Sequence, residues 1–200
     1  MSDSRPGAPG RATSASVTSS QEVEPLERRA LLSGGAPPQV VSAQFHFDTA
    51  PHAVVLRFDQ NVGPSLDRND LALISEDDGQ IYFGTDVDVE FRESDFVATF
   101  TFPAFKDELL RDGNYRVLLS GFGVFGPEGV PMQNDFTFKF RFLRGDANAD
   151  GIVDLRDFST LAGNVGRSGA SFSQGDFDYD GEVDLDDFSL LASRFGTSIL

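Results

Sequence analysis

Between residues 39 and 142 apolar and polar positions alternate with a period of two. Phe136, Phe138, Phe140 and Phe142 are separated by Thr137, Lys139 and Arg141. Val87, Val89 and Phe91 alternate with Asp88, Glu90 and Arg92, and Phe96, Ala98, Phe100 and Phe102 share one face of another run. Such alternation places one face in a core and the other in water, as in an antiparallel strand. Further strands are predicted at 39–47, 53–59, 70–75, 80–83 and 114–120. Asn61, Gly63-Pro64, Asp78-Gly79, Asp112-Gly113-Asn114 and Gly126-Pro127 supply the turns between them. Many short strands with regular turns and no long helix predict a β-sandwich.

Beyond residue 144 the pattern changes and repeats with an offset of 30. Gly145-Asp146-Ala147-Asn148-Ala149-Asp150-Gly151-Ile152-Val153-Asp154-Leu155-Arg156-Asp157 matches Gly175-Asp176-Phe177-Asp178-Tyr179-Asp180-Gly181-Glu182-Val183-Asp184-Leu185-Asp186-Asp187. Each copy fills a twelve-residue EF-hand-type loop. Positions 1, 3, 5, 9 and 12 are Asp146, Asn148, Asp150, Asp154 and Asp157 in the first, and Asp176, Asp178, Asp180, Asp184 and Asp187 in the second. Position 7 offers a backbone carbonyl, from Ile152 and from Glu182. Gly151 and Gly181 stand where the loop turns sharply. Calcium takes six to eight oxygens, and alternate positions of a tight loop deliver them from one side while position 12 closes the other. Two bound Ca²⁺ ions are expected. Asp at position 12 is shorter than the usual Glu, so the following helix should begin close to the ion. After each loop, Leu155, Phe158, Leu161, Ala162 and Val165 match Leu185, Phe188, Leu191, Ala192 and Phe195 at the spacing of one helix face. The two faces are expected to form a small core.

The duplicated loop–helix unit of residues 145–196 resembles the dockerin type I module, which is non-catalytic and docks onto a cohesin domain, often in polysaccharide-degrading complexes. Loop positions 10 and 11, commonly polar recognition residues in that family, are Leu155-Arg156 and Leu185-Asp186 here, so the two halves differ in charge. The preceding segment resembles a bacterial Ig-like domain of S-layer and adhesin-type proteins. That resemblance lies in Pro38-Gln39-Val40-Val41-Ser42, Val54–Val62 with Ser65-Leu66, Leu110–Val117 and Asn134–Phe138. Near the start, Leu26-Glu27-Arg28-Arg29-Ala30-Leu31-Leu32 resembles the LEPR-x-LL motif of exported bacterial proteins, with Arg28 where that motif has Pro.

The expected fold is therefore mainly β. A disordered N-terminal segment (1–36) carries the sorting-type motif. An Ig-like β-sandwich (37–144) follows, then a small α-helical dockerin-like domain (145–200) with the two calcium loops. The sandwich is expected to fold independently of calcium.

Charge and composition narrow the function. With 16 Lys+Arg and 32 Asp+Glu the net charge is −16. Such a surface does not suit a nucleic-acid backbone. Residues 146–200 hold 11 acids against 3 bases, and residues 36–145 hold 17 against 9, so both carry −8, the first in half the length. No apolar run approaches the roughly 20 residues of a membrane-spanning helix. Cys is absent and His numbers 2, which excludes thiolate chemistry and leaves zinc short of ligands. Glu76-Asp77-Asp78 and Glu90, Glu93 and Asp95 could supply a carboxylate pair for glycoside hydrolysis, but their turn and solvent-face positions read as surface charge. Residues 1–21 lack the apolar stretch of an ordinary secretory signal, whereas weak calcium loops favour an extracellular or cell-surface setting. The expectation is a non-catalytic exported calcium-binding protein that attaches to a cohesin-like or other cell-surface protein. The alternative is an accessory subunit, carbohydrate-binding or scaffold-docking, of an extracellular polysaccharide-degrading complex.

Overall fold

The computed structural model describes residues 35–199. The sorting-type motif, and the disorder expected for residues 1–34, lie outside the described residues. Eight strands fall where the alternation places them: β1 (Val40–His46), β2 (Ala53–Phe58), β3 (Leu71–Ser75), β4 (Ile81–Tyr82), β5 (Asp88–Arg92), β6 (Val97–Thr101), β7 (Gly113–Leu119) and β8 (Phe136–Phe142). They pair antiparallel in two four-stranded sheets, β1-β2-β6-β5 and β4-β3-β7-β8. Lettered A to G in chain order, with β4 as C′, these are the A-B-E-D and C′-C-F-G sheets of an Ig-like sandwich. Val54, Leu56 and Phe58 of β2 and Ala98 and Phe100 of β6 face Leu71, Leu73, Val117 and Leu119 across the core, all buried. Near the start of β7 the Tyr115 hydroxyl donates to the Arg111 carbonyl at 2.9 Å. This is the tyrosine corner that ties strand F to its preceding loop in such sandwiches. Burial pushes the Tyr115 hydroxyl well above its ordinary pKa, so it stays a donor.

The segment after β8 corrects the expected architecture. It is not a separate α-helical dockerin-like domain. It holds two helices of 10 residues each, α1 (Leu155–Asn164) and α2 (Leu185–Arg194). Its buried residues Ala147, Val153, Leu161, Phe172, Phe177, Val183 and Leu191 belong to one core cluster with the sandwich. The described residues form one compact unit. The reason lies in where the large side chains go. Only Leu161 and Leu191 of each expected five-residue helix face are buried, whereas Leu155, Phe158, Val165, Leu185, Phe188 and Phe195 are exposed. Core volume is supplied by Phe172, Phe177 and Tyr179, which pack on the end of the sandwich. Phe172 meets Phe47 and Phe142 at ring-centroid distances of 5.5 and 5.4 Å and stacks on Tyr179 at 5.6 Å. The Asp48 carbonyl and carboxylate accept from the Phe172 and Ser173 N–H groups at 3.0 and 2.8 Å. Arg194 of α2 pairs with Asp112 before β7 at 2.6 Å.

Within the C-terminal segment the two repeats exchange contacts about a local two-fold relation. Val153 N–H donates to Thr197 and Val183 N–H to Arg167, at 3.0 and 3.1 Å. Gly196 and Gly166 return bonds to Val153 and Val183, both at 2.9 Å. Each loop thus pairs with the strand-like segment that follows the other helix. Gly175, at φ +106°, backs onto Leu161, where a Cβ would sit 2.9 Å from its Cα. A side chain there would force the second loop away from α1.

Candidate metal centre

Each loop is shaped by its carboxylates taking backbone N–H bonds. In the second loop, Asp176 Oδ2 accepts from Gly181 N at 3.0 Å, Asp178 Oδ1 from Asp180 N at 3.2 Å, and Asp180 Oδ1 from Glu182 N at 2.8 Å. Asp187, one turn into α2, accepts from Phe177 N (2.6 Å), Asp178 N (3.3 Å) and Asp184 N (2.8 Å). The short position-12 side chain is thus tied directly to the loop's backbone. Asp184 caps α2, accepting from Asp186 N at 2.7 Å.

The structure brings Asp176, Asp178 and Asp187 together. One oxygen of each lies within 4.8 Å of the others. Asp176 is 3% exposed and Asp187 1% exposed. Asp176 Oδ1 is buried with no hydrogen-bond partner. A buried carboxylate oxygen without a donor is costly, and with two further carboxylates beside it the group could hold a cation. The electrostatics agree. Burial, reinforced by Asp187 and Asp178, raises Asp176 to about 6, and burial raises Asp187. The remaining second-loop candidates stand further out: Asp180 serves the turn, Asp184 the cap, and Glu182 lies in a bridge with Ser168.

The first loop repeats the frame with fewer charges. Asp146 accepts from Asp150 N and Gly151 N at 3.1 and 2.7 Å. Asp157, wholly buried, accepts from Asn148 N and Asp154 N at 3.3 and 2.9 Å. Asp154 caps α1 through Arg156 N at 2.7 Å. Burial raises Asp146. Position 3 is the neutral amide Asn148, so no trio of carboxylates assembles in this loop among the described residues. Its Asp150 is already paired with Arg156 at 3.2 Å and receives Asn148 Nδ2 at 3.0 Å. Ile152, at position 7, lies in a bridge with Ser198. The two loops share a backbone and differ in charge.

Three features escape a sequence reading. His52 follows Pro51 in a turn, yet it is fully buried. Leu110 N–H donates to its Nδ1 at 3.0 Å, so Nδ1 carries no proton and Nε2 does. Nε2 lies 2.6 Å from the Tyr179 hydroxyl, which in turn donates to the Phe47 carbonyl at 2.8 Å. The chain of bonds is complete only for neutral histidine. Burial, with nearby Arg144, lowers His52 to about 3. Protonation would set an Nδ1–H against the Leu110 N–H inside a cage of Phe45, Phe142 and Tyr179 rings. Because the folded pKa lies below the ordinary 6.5, stability from this group is complete above pH 6.5 and is lost as pH falls toward 3. At pH 4.5 the loss is roughly 2–3 kcal/mol. Chemical denaturation of wild type and His52→Gln across pH 4.5–7, in one calcium buffer, should show the flatter profile in the variant.

The second missed feature is Tyr179 itself, whose ring lies in the sandwich end. The third is an exposed apolar surface on the helices. Leu155 and Leu185, 67% and 78% exposed, flank Phe158 and Phe188, whose ring centroids are 6.3 Å apart. Between the helices lies a groove of about 380 Å³ lined by Phe158, Leu161, Val165, Val183, Leu185 and Phe188. Two of the carboxylates weighed for glycoside chemistry are held in surface ion pairs. Glu76 pairs with Arg116 and Lys139 at 3.2 and 2.9 Å, and Asp95 with Arg92 at 2.7 Å.

No protein family matches the chain, and no curated protein matches it. Among solved structures, the chain is similar to native alpha-2-macroglobulin from Escherichia coli spanning domains MG0-NIE-MG1, with a TM-score of 0.40 and 13% identity over 56% of this chain and 34% of that one. It is also similar to the native conformation of E. coli alpha-2-macroglobulin seen by cryo-EM, with a TM-score of 0.41 and 13% identity over 56% of this chain and 6% of that one. The chain spans a minor part of either.

Proposed function

We propose that the chain is a non-catalytic calcium-binding attachment protein of the extracellular space or cell surface. The observation that carries this reading is the buried, unpartnered Asp176 Oδ1 facing Asp178 and Asp187. Three carboxylates, a position-7 carbonyl and open positions for water suit a hard cation with a large oxygen shell. The first loop, with Asn148 among four Asp at its ligand positions, would hold a second ion, and the two ions would neutralise much of the local charge. Extracellular loops of this type bind calcium at roughly 10⁻⁴–10⁻³ M, an affinity that suits a setting where calcium is abundant. Attachment falls to the paired helices. Leu155, Phe158, Val165, Leu185, Phe188 and Phe195 are exposed apolar side chains related by the internal repeat, and Phe158, Val165, Leu185 and Phe188 line one groove between the helices. Arg156 and Asp186 flank it with opposite charges, so a protein partner would dock in one orientation.

Calorimetric titration of the full chain tests the reading: two calcium ions bound at millimolar concentration or below, and little response to magnesium, which demands a tighter octahedron. No heat of binding at millimolar calcium would remove it. Phe188→Glu, which leaves the loops intact, should keep both ions while abolishing calcium-dependent retention on cell-envelope material.

A further inference from the structure

The two loops differ in the residues that face away from the ion. Over the first nine positions of each loop the ligands are odd-numbered, and the even-numbered residues between them aim outward. In the first loop positions 2 and 4 are Ala147 and Ala149; in the second they are Phe177 and Tyr179. Phe177 is wholly buried, packed edge-on against Phe172 at 5.0 Å. Its N–H donates to the position-12 carboxylate of Asp187 at 2.6 Å, so one residue is held by the sandwich-facing core and by the metal cluster together. Tyr179 sits between Asp178 and Asp180 at φ +67°, a left-handed conformation uncommon for a bulky residue. Its hydroxyl is fixed at both ends, by His52 Nε2 and by the Phe47 carbonyl, and His52 is itself fixed by Leu110 N–H. Ala149, its counterpart, has the same backbone conformation at φ +56° and no such anchor.

We propose that His52 and Tyr179 are positioning residues for the second calcium site: the sandwich holds loop 2 in its ligating shape and so makes that site tighter than loop 1. This deepens the calcium reading and rests on it. The physical route is short. Fixing Tyr179 fixes the backbone of Asp178 and Asp180 on either side, and fixing Phe177 fixes the N–H that orients Asp187. The entropy of ordering these ligands is then met by the sandwich rather than by the ion. Loop 1 has only an exposed tie of this kind, Arg141 of β8 donating to the Asp150 carbonyl at 3.0 Å, with no aromatic anchor; it also has Asn148 in place of an acid and Asp150 already paired with Arg156. Linkage makes the effect reciprocal: whatever factor the sandwich adds to calcium affinity, calcium adds to the docking of loop 2 on the sandwich.

The test uses the full chain and calcium itself. In an Asp146→Asn background, which disables loop 1, titration calorimetry should show one ion. Adding Tyr179→Phe, which keeps the ring and removes both hydroxyl bonds, should weaken that ion roughly tenfold, within the usual span of coupling between sites. His52→Leu should weaken it by a similar factor. In an Asp176→Asn background, which leaves only loop 1, the same two substitutions should change affinity less than about twofold. A role confined to stability would not separate the two loops in this way. Tyr179→Phe alone decides the matter if His52→Leu does not fold. Unchanged loop-2 affinity in Tyr179→Phe, or equal losses in both loops, overturns the proposal while leaving calcium binding intact. Absence of any binding to the unsubstituted chain is a different failure, removing the calcium reading and this inference together.

Discussion

A sandwich cut free at residue 144 should melt roughly 10–20 °C below the full chain in calcium, by the usual relation between free energy and midpoint for a domain of about 110 residues. The cut removes Phe172, Phe177 and Tyr179 from the end of the sandwich. Phe142 and Leu143, 3% exposed in the intact protein, would lose part of their cover, as would Phe47. Full burial of a large apolar side chain contributes about 1.5–3 kcal/mol. His52 Nε2 would also lose its acceptor, the Tyr179 hydroxyl. An orphaned buried donor costs about 1–3 kcal/mol unless water reaches it. Roughly 4 kcal/mol in all is a large share of the 5–15 kcal/mol typical of a folded domain. Paired thermal melts of residues 37–144 and of the full chain, followed by circular dichroism, would measure the difference. Equal midpoints would show that the shared core contributes nothing and would restore two independent modules.

The sandwich was legible because its signal is local. Alternation of Phe136, Phe138, Phe140 and Phe142 with polar residues names a strand and its inward face without reference to any partner. The turns of the two loops were legible for a related reason: Asp side chains at fixed spacings around Gly151 and Gly181 take backbone N–H bonds within their own twelve residues. What failed were inferences about which surfaces meet. The helix periodicity of Leu155, Phe158, Leu161 and Val165 is real, but it reads equally as a core face or as an exposed patch, and only Leu161 turned out to be buried. Phe177 and Tyr179 occupy positions where loop chemistry imposes no residue type. Two aromatics there, against Ala147 and Ala149 in the other copy, were the one visible sign that the second loop packs on something large. His52 gave still less. Its partner Tyr179 lies 127 residues away, and nothing near Pro51 announces a buried imidazole.

Replacing Asp176 with Asn should change stability in opposite directions with and without calcium. In chelator, Asp176 is a buried carboxylate with one unpartnered oxygen, close to Asp178 and Asp187. Its pKa, raised by burial to about 6 from 3.8, means that the folded apo chain holds the proton more tightly than the unfolded chain does. Ionisation at pH 7 is therefore a cost to folding, fully present above pH 6 and relieved as pH falls toward 4. Asn keeps a carbonyl oxygen for Gly181 N–H, removes the charge, and places an amide donor beside the two remaining carboxylates. The apo variant should therefore be more stable than apo wild type at pH 7, and the gap should close by pH 4. Calcium reverses the order. Binding confined to the folded state adds RT ln(1 + [L]/Kd), about 2.7 kcal/mol per site at a hundredfold excess. The variant should forfeit most of that at loop 2 while keeping it at loop 1. Asp187→Ala offers the contrast. Its carboxylate accepts from Phe177, Asp178 and Asp184 N–H groups. Removing it orphans backbone donors whether or not an ion is present, so it should destabilise both forms. The measurement is urea denaturation of the three proteins at pH 7 in 5 mM chelator and in about 100-fold excess calcium over Kd, repeated at pH 4 in chelator. If Asp176→Asn lost stability in chelator, Asp176 would have a partner that the structure does not show. If calcium stabilised variant and wild type equally, the second loop would not be a calcium site.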